Sequence, residues 1–461
     1  MRASLVSRTA TALAFAVLAV GLGPSQRAFA MDQLFTVTKT ADTSDGACTV
    51  QDCSLREAIT AANGASGFDY ITFAIPSEGA PVTITLVGTL PAITSPVLID
   101  GEGQFPAGCG GLYLALELDG SALAPGSNGL VVSASAAGSA IRGLAIGNFS
   151  GDAIALESTG NSITCNRIGT DATGTVVRPN GRGIRVAAAS NEIGGTTGVS
   201  PNQISASLEE GILITGTTAT LVRNNTIGAP IGGSASLGNL GAGILIEDAS
   251  GSTLGGAGVG NVIHANGASG VAVSGANSIG NWITRNSLAG NSGEGIDLLG
   301  IGGEDPVDLG DADTGPNRLQ NSPAIESAVY DGGANTLAIA FRVESDPANT
   351  AYPLTIEFFQ ADAGGDEGET YLGTATFTQT DWAAVTPLTA EFTPAAPIAV
   401  NDSIIATAID FDGNTSEFPS LATAVPEPSA PLTGVAAGLA IAALSRRRAR
   451  LAASTSRPSR A

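Results

Sequence analysis

The sequence predicts an all-β chain: a parallel β-helix with an N-terminal cap, followed by a small antiparallel β-sandwich. Three observations predict it. First, short segments of one small residue and three strand-forming residues recur along the middle of the chain. They are "GLVV" from Gly129, "AIAL" from Ala153, "GIRV" from Gly183, "GILI" from Gly211 and Gly243, "GVAV" from Gly270 and "GIDL" from Gly295, spaced 24, 30, 28, 32, 27 and 25 residues apart. Second, the stretches between them hold more strand-sized pieces and Asn/Gly turns but no helix-length periodic segment. A period in the twenties with two or three short strands is the content of one turn of a solenoid. Third, after about residue 322 the Asn/Gly style stops and longer alternating strands begin.

Residues 1–30 read as a secretory signal: Arg2 and Arg8 at the start, an apolar stretch from Ala12 to Leu22, and Ala28-Phe29-Ala30 as a small-x-small cleavage site, with Ala30 as its last residue. Residues 31–68 read as the cap. "FTVTKTAD" (35–42) alternates like a strand. Ser54 and Glu57 then make a capping box, Leu55, Ala58, Ile59 and Ala62 form one apolar stripe, and Asn63-Gly64 is the expected stop. A short helix over the first turn covers an edge that would otherwise be open. The β-helix is expected over 69–322. Ile184, Val186, Ile212, Ile214, Ile244, Ile246, Val271 and Val273 point inward and stack, while Arg185, Leu213 and Ala272 point outward. Asn166, Asn191, Asn225, Asn261, Asn266, Asn281 and Asn286 read chiefly as corner residues that accept left-handed backbone; a stacked ladder of side-chain amides is the other reading. The sandwich is expected over 323–424, from "TLAIAFRVES", "LTIEFFQAD", "TYLGTATFTQ", "PLTAEFTP" and "SIIATAIDFDGN".

Four cysteines in an exported chain favour disulfides. Cys48–Cys53 and Cys109–Cys165 are the favoured two of the possible pairings, on closeness in sequence for the first. The chain carries 42 acidic and 20 basic side chains; between residues 31 and 425 it keeps 11 basic against 41 acidic, a formal charge near −30. Such a surface repels nucleic acid and anionic membranes and attracts divalent cations.

Catalytic chemistry of the kind β-helices perform on polysaccharides needs facing carboxylates, or a base with a cation. Glu247 and Asp297 are the candidate pair, two turns apart on one face; His264 reads as a turn-flanking residue. A stronger local signal is acidic clustering. Glu304, Asp305, Asp308, Asp311 and Asp313 offer hard oxygen ligands suited to calcium, and Asp410, Asp412 and Asn414 offer a second, similar set.

"CSLREAITAAN" (53–63) resembles the signature of the CSLREA domain found at the N-terminus of secreted bacterial β-helix proteins. "NRIGTDATGT" (166–175), "NEIGG" (191–195), "GDADTGPNRLQNSP" (310–323) and "ATAIDFDGNTSEF" (406–418) are similar to the repeat, exit and sandwich sequences of that group. The resemblance implies a right-handed parallel β-helix. Residues 425–461 resemble a PEP-CTERM sorting tail: Pro426-Glu427-Pro428, an apolar run of about fourteen residues, and a cluster with Arg446, Arg447 and Arg448. That run is short for a stable span of roughly 20 residues. The tail implies an exosortase-type processing enzyme as partner, only transient contact with the inner membrane of a Gram-negative cell, and a cell-surface or extracellular destination. The favoured functional reading is a non-catalytic exported surface or matrix protein that binds glycan or protein. A polysaccharide lyase or glycoside hydrolase, and a structural surface-layer component, are the alternatives.

Overall fold

The computed structural model describes residues 32–77, 79–104, 114–196, 201–229, 237–298, 306–399, 401–419 and 422–426. The signal segment, Cys109, Glu304, Asp305 and the tail with Glu427, Pro428 and Arg446–Arg448 lie outside them.

Three parallel sheets of nine, eight and seven strands run the length of the β-helix, each strand pairing with its equivalent one turn before and one turn after. The register is constant, so inward residues stack in unbroken columns. One column is Ile154, Ile184, Ile212, Ile244, Val271 and Ile296. A second is Ile71, Ile99, Ile141, Ile163, Ile193, Val222, Leu254 and Ile283. All of these side chains are buried in one continuous core. The inward residues expected from the sequence are all fully buried, and Leu213 and Ala272, though on outward columns, are also covered.

The corners differ from the expectation in an informative way. The asparagines are buried and form ladders. Nδ2 of Asn166 donates to Oδ1 of Asn202 (3.2 Å), Asn202 to Asn225 (2.9 Å), Asn225 to Asn261 (3.0 Å) and Asn261 to Asn286 (2.8 Å). A second ladder joins Asn239, Asn266 and Asn291 at 2.9 and 2.8 Å. The left-handed backbone belongs instead to the residue just before: Cys165, Ser190, Asn224, Ala265 and Arg285 all have φ between 53° and 60°. That turn swings the following amide into the interior, where it satisfies backbone groups that no sheet reaches. Glycine is required where one turn presses on the next; a Cβ on Gly255, at φ +90°, would sit 2.1 Å from the Thr284 carbonyl oxygen.

At the N-terminal end, strand Leu34–Val37 pairs with Asp69–Phe73 and helix Leu55–Gly64 packs over the first turn. The capping box is present: Glu57 accepts from Ser54 N–H (2.8 Å) and Ser54 Oγ from Glu57 N–H (3.1 Å). Glu57 also accepts from Asp45 and Gly46 N–H (3.0 and 3.2 Å). Burial opposes its charge, but these backbone donors hold the carboxyl down at about 2. Gly64 is the last helical residue rather than the stop; Ala65 caps the helix in an extended conformation. Cys48 and Cys53 are bonded to each other, and Cys165 is also in a disulfide.

The C-terminal unit is one seven-stranded sheet folded into two facing halves that share strand Ala422–Pro426. This strand runs two residues past the expected boundary. Strand Ala324–Asp331, a parallel pairing between it and the shared strand, and a short helix at Gln379–Ala384 were not foreseen. The halves meet through Phe341, Phe358, Phe377 and Phe392, with Phe341 and Phe358 ring centroids 5.3 Å apart.

The sandwich closes the far end of the β-helix with side chains. N–H groups of the last turn that have no further strand to pair with donate to it: Gly280 to Asn414 (2.7 Å), Ile283 to Thr415 (2.9 Å), Arg285 to Glu357 (3.0 Å), Gly290 to Asp362 (3.2 Å), Asn291 to Glu367 (3.0 Å) and Leu298 to Glu417 (2.7 Å). Four of the six acceptors are carboxylates.

Candidate functional site

The exit from the β-helix gathers three of the five carboxylates expected there. Oxygens of Asp308, Asp311 and Asp313 lie within 4.8 Å of one another. The geometry is built by the loop: Asp308 accepts from Ala312 N–H (2.9 Å), and Asn321 Nδ2 donates to Asp308 (3.2 Å). Asp311, buried and at φ 59°, accepts from Asn321 N–H (2.8 Å) and from the Thr350 hydroxyl. Burial raises the Asp311 carboxyl, the Asp308 charge adds to it, and the hydrogen bonds from Thr350 and Asn321 work against the shift.

A cavity of about 400 Å³ opens beside this cluster, at the seam between exit loop and sandwich. Asp311, Asp313, Arg318, Asn349, Thr350 and Asp410 border it. Asp410, expected to anchor a separate site, also borders this cavity. Of its expected companions, Asn414 stays bonded to it and Asp412 turns to Arg318. Asn414 donates through backbone N–H and Nδ2 to the Asp410 carboxylate (both 2.8 Å) and accepts from Gly280. Asp412, exposed, faces Arg318 at 3.4 Å. Asp410 too is raised by burial, against the hydrogen bonds from Asn414.

A second acidic trio, Asp45, Asp52 and Glu57, went unnoticed because its members are joined only by the fold of the cap. Lys39 Nζ reaches all three, at 3.5 Å from Asp45, 3.6 Å from Glu57 and in close contact with Asp52. The lysine ammonium already supplies the cation.

Glu247 and Asp297 lie on one face of the seven-stranded sheet, two strands apart, as expected, but in unlike settings. Glu247 is exposed, whereas Asp297 is buried and accepts from the Ser269 hydroxyl at 3.1 Å. Their register places them on different columns, two residues apart along the strand. With strands about 4.8 Å apart and 3.3 Å per residue, the backbones stand roughly 11–12 Å apart. Elsewhere on this face the acids are tied to arginine: Arg182 to Asp152, Glu209 and Glu210, and Arg185 to Asp152 and Glu157. His264 is in a strand, half-buried, with Nε2 3.0 Å from Ser287 Oγ; burial lowers its pKa.

A family model described as "NosD: Periplasmic copper-binding protein (NosD)" matches residues 128–297, less than half of the chain. Among solved structures, the chain is similar to the enzymatically active domain of tailspike protein 2 of bacteriophage CBA120 (9% identity over 83% of this chain and 74% of that chain, TM-score 0.30). It is also similar to the full-length tailspike protein 2 from an Escherichia coli O157:H7 bacteriophage (10% identity, 85% and 67%, TM-score 0.30). A third is ORF18 of Geobacillus virus E2 (12% identity, 83% and 86%, TM-score 0.24). No curated protein matches the sequence. No helix of the described residues is long and apolar enough to cross a membrane.

Proposed function

We propose that the protein is an exported β-helix scaffold that binds a glycan at the cell surface or in the extracellular matrix, with a calcium ion at the seam between β-helix and sandwich. The observation that carries the reading is the gathering of Asp308, Asp311 and Asp313 beside the cavity that Asp410 enters from the sandwich. Calcium prefers six to eight oxygens from carboxylates and carbonyls. A cation there would relieve the repulsion that, with burial, raises Asp311, and would tie the two units together.

Copper, which the name of the matched family carries, fits poorly. It favours imidazole, thiolate and thioether donors. Residues 128–297 hold one histidine, His264, one cysteine, Cys165, which is in a disulfide, and no methionine. The signal at residues 1–30 and the PEP-CTERM-like tail support export followed by exosortase processing near Pro426-Glu427-Pro428. Periplasmic residence, the location in the matched family's name, is the alternative destination.

The test pairs two readouts on the purified protein. Calcium should raise the thermal midpoint by several degrees, magnesium less so, and D311N should abolish the gain. A polysaccharide panel run with and without chelator should show retention without new chain ends. New reducing ends or unsaturated products would replace this reading with a polysaccharide lyase or hydrolase. A midpoint indifferent to calcium would remove the cation from it.

A further inference from the structure

The outer face of the nine-stranded sheet differs in charge from the rest of the molecule. Two outward columns run along it, one from Leu34 through Ser162 to Trp282, the other from Thr36 through Thr164 to Thr284. They hold two acids, Asp100 and Glu192, and two bases, Arg142 and Arg223, and so sum to zero. The seven-stranded sheet instead carries Asp152, Glu157, Glu209, Glu210 and Glu247 around Arg182 and Arg185. Like charge would repel a second copy of the chain there.

Apolar side chains mark both ends of the neutral face. Leu34 and Tyr70 are exposed beside half-buried Leu98, and Phe68 meets the Tyr70 ring edge-on at 5.4 Å. At the far end Trp282 is exposed, and Leu221, two strands away, is half-buried. Large apolar groups gathered on one exposed face mark an interaction surface.

Arg223 is the odd member. It is half-buried, and among the described residues it is the one basic side chain with neither a hydrogen bond nor an ion pair. Arg142, by contrast, is bonded to Asp100 (2.7 Å) and lies 3.4 Å from Glu102, which leaves that group net negative.

The pattern is self-complementary. The fifth of the nine strands is Ser162–Thr164. A two-fold axis along it turns a second copy end for end and keeps each column opposite itself. The third strand then faces the seventh, so Asp100 meets Arg223 and Leu98 meets Leu221. The first faces the ninth, with Leu34 against Trp282. The fourth faces the sixth, which sets Glu192 beside Arg142. Every charge of the two columns gains an opposite one. A parallel pair would instead set each charge level with its own copy, Arg223 beside Arg223. Nine strands about 4.8 Å apart and five residues wide at about 3.3 Å each give roughly 600 Å², somewhat below the ~800 Å² per partner of a standard interface. That area suits a reversible dimer.

We propose that this face is the interface of a symmetric, antiparallel dimer of the chain, with Arg223 of each copy paired to Asp100 of the other. The test is sedimentation velocity on the full chain, up to hundreds of micromolar, for wild type, R223E, D100R and an equimolar mixture of the two variants, with each thermal midpoint checked. Expected is a wild-type dimer, weakened at least tenfold in either variant alone, because each sets like charges together twice. Mixing should restore it, since the introduced glutamate then faces the introduced arginine while the native pair forms across the axis. S162R, which sets two arginines together on the axis and leaves the Asp100–Arg142 bond alone, should weaken the dimer as much and serves if D100R lowers the midpoint. A monomeric wild type would overturn the proposal and leave the face to a different partner. A dimer indifferent to R223E or to S162R would overturn it as well, as would a mixture of folded variants that stays monomeric.

Discussion

Asn225 shows how much a single side chain carries in this fold. Its Nδ2 donates to Asn261 Oδ1, to the Ile193 carbonyl (2.9 Å) and to the Arg223 carbonyl (3.0 Å), while its Oδ1 accepts from Asn202. Replacement by alanine leaves buried groups on both neighbouring turns unbonded, each costing about 1–3 kcal/mol. Asn225→Ala is therefore expected to lose at least about 2 kcal/mol in urea unfolding. Asn224→Ala, one position earlier and half-exposed, should lose less, chiefly through its left-handed backbone. Asparagine at the corners was legible in the sequence; its burial was not. A turn former and an interior hydrogen-bonding residue look alike until the preceding residue's backbone rotates the side chain inward. The capping box of Ser54 and Glu57 was fully legible, because both partners lie within one helical turn.

At the scale of the element, the closure of the β-helix by the sandwich is the feature that no local pattern announces. Its hydrogen bonds join residues 72 to 134 positions apart. Glu367 illustrates the cost. It accepts from Asn291 N–H (3.0 Å) and Nδ2 (2.7 Å), yet burial, with the charges of Asp362 and Asp366, pushes its carboxyl up to about 7. A carboxyl raised from 4.5 to about 7 on folding binds its proton more tightly in the native state. Its favourable contribution is full below pH 4.5 and is lost as pH rises through 7. Glu357, also raised by burial, acts in the same direction, and His264, lowered by burial, acts in the opposite direction below pH 6.5. Unfolding free energy measured from pH 5 to 8 should therefore decline less steeply in Glu367→Ala than in wild type. The variant should also be less stable throughout, because two donors lose their acceptor. Parallel slopes would show that the carboxyl titrates normally in the folded protein. The same distance in sequence explains the candidate site. Asp308, Asp311 and Asp313 were legible as a group because they are neighbours; Asp410 was legible beside its partner Asn414, but its place at the same cavity, far along the chain from the exit loop, was not.

For the whole molecule, the two ends do what the middle cannot. Each turn buries its apolar face only against the next, so the last turn at either end would expose a slice of core and a row of unpaired N–H groups. The helix Leu55–Gly64 covers one end and the sandwich the other. A chain stopping after residue 298 should elute as soluble aggregates in size-exclusion chromatography, while the intact chain elutes as a discrete species. The solenoid itself was legible because its period is written in the spacing of "GILI"-type segments. The stacking of the small residues Ala145 and Gly147 beside Glu117 and Asp119 one turn earlier was not, since that juxtaposition exists only in the register of the folded chain.

The constancy of register has one more consequence. Each closure engages only turns near its own end among the described residues, so neither senses how many turns lie between them. Duplicating or deleting one unit of about 28 residues would move the two ends apart or together by about 4.8 Å, the spacing of adjacent strands. Reach is thus a variable that gene duplication can adjust in small steps, with no redesign of either terminus and with every outward column simply extended by one more position.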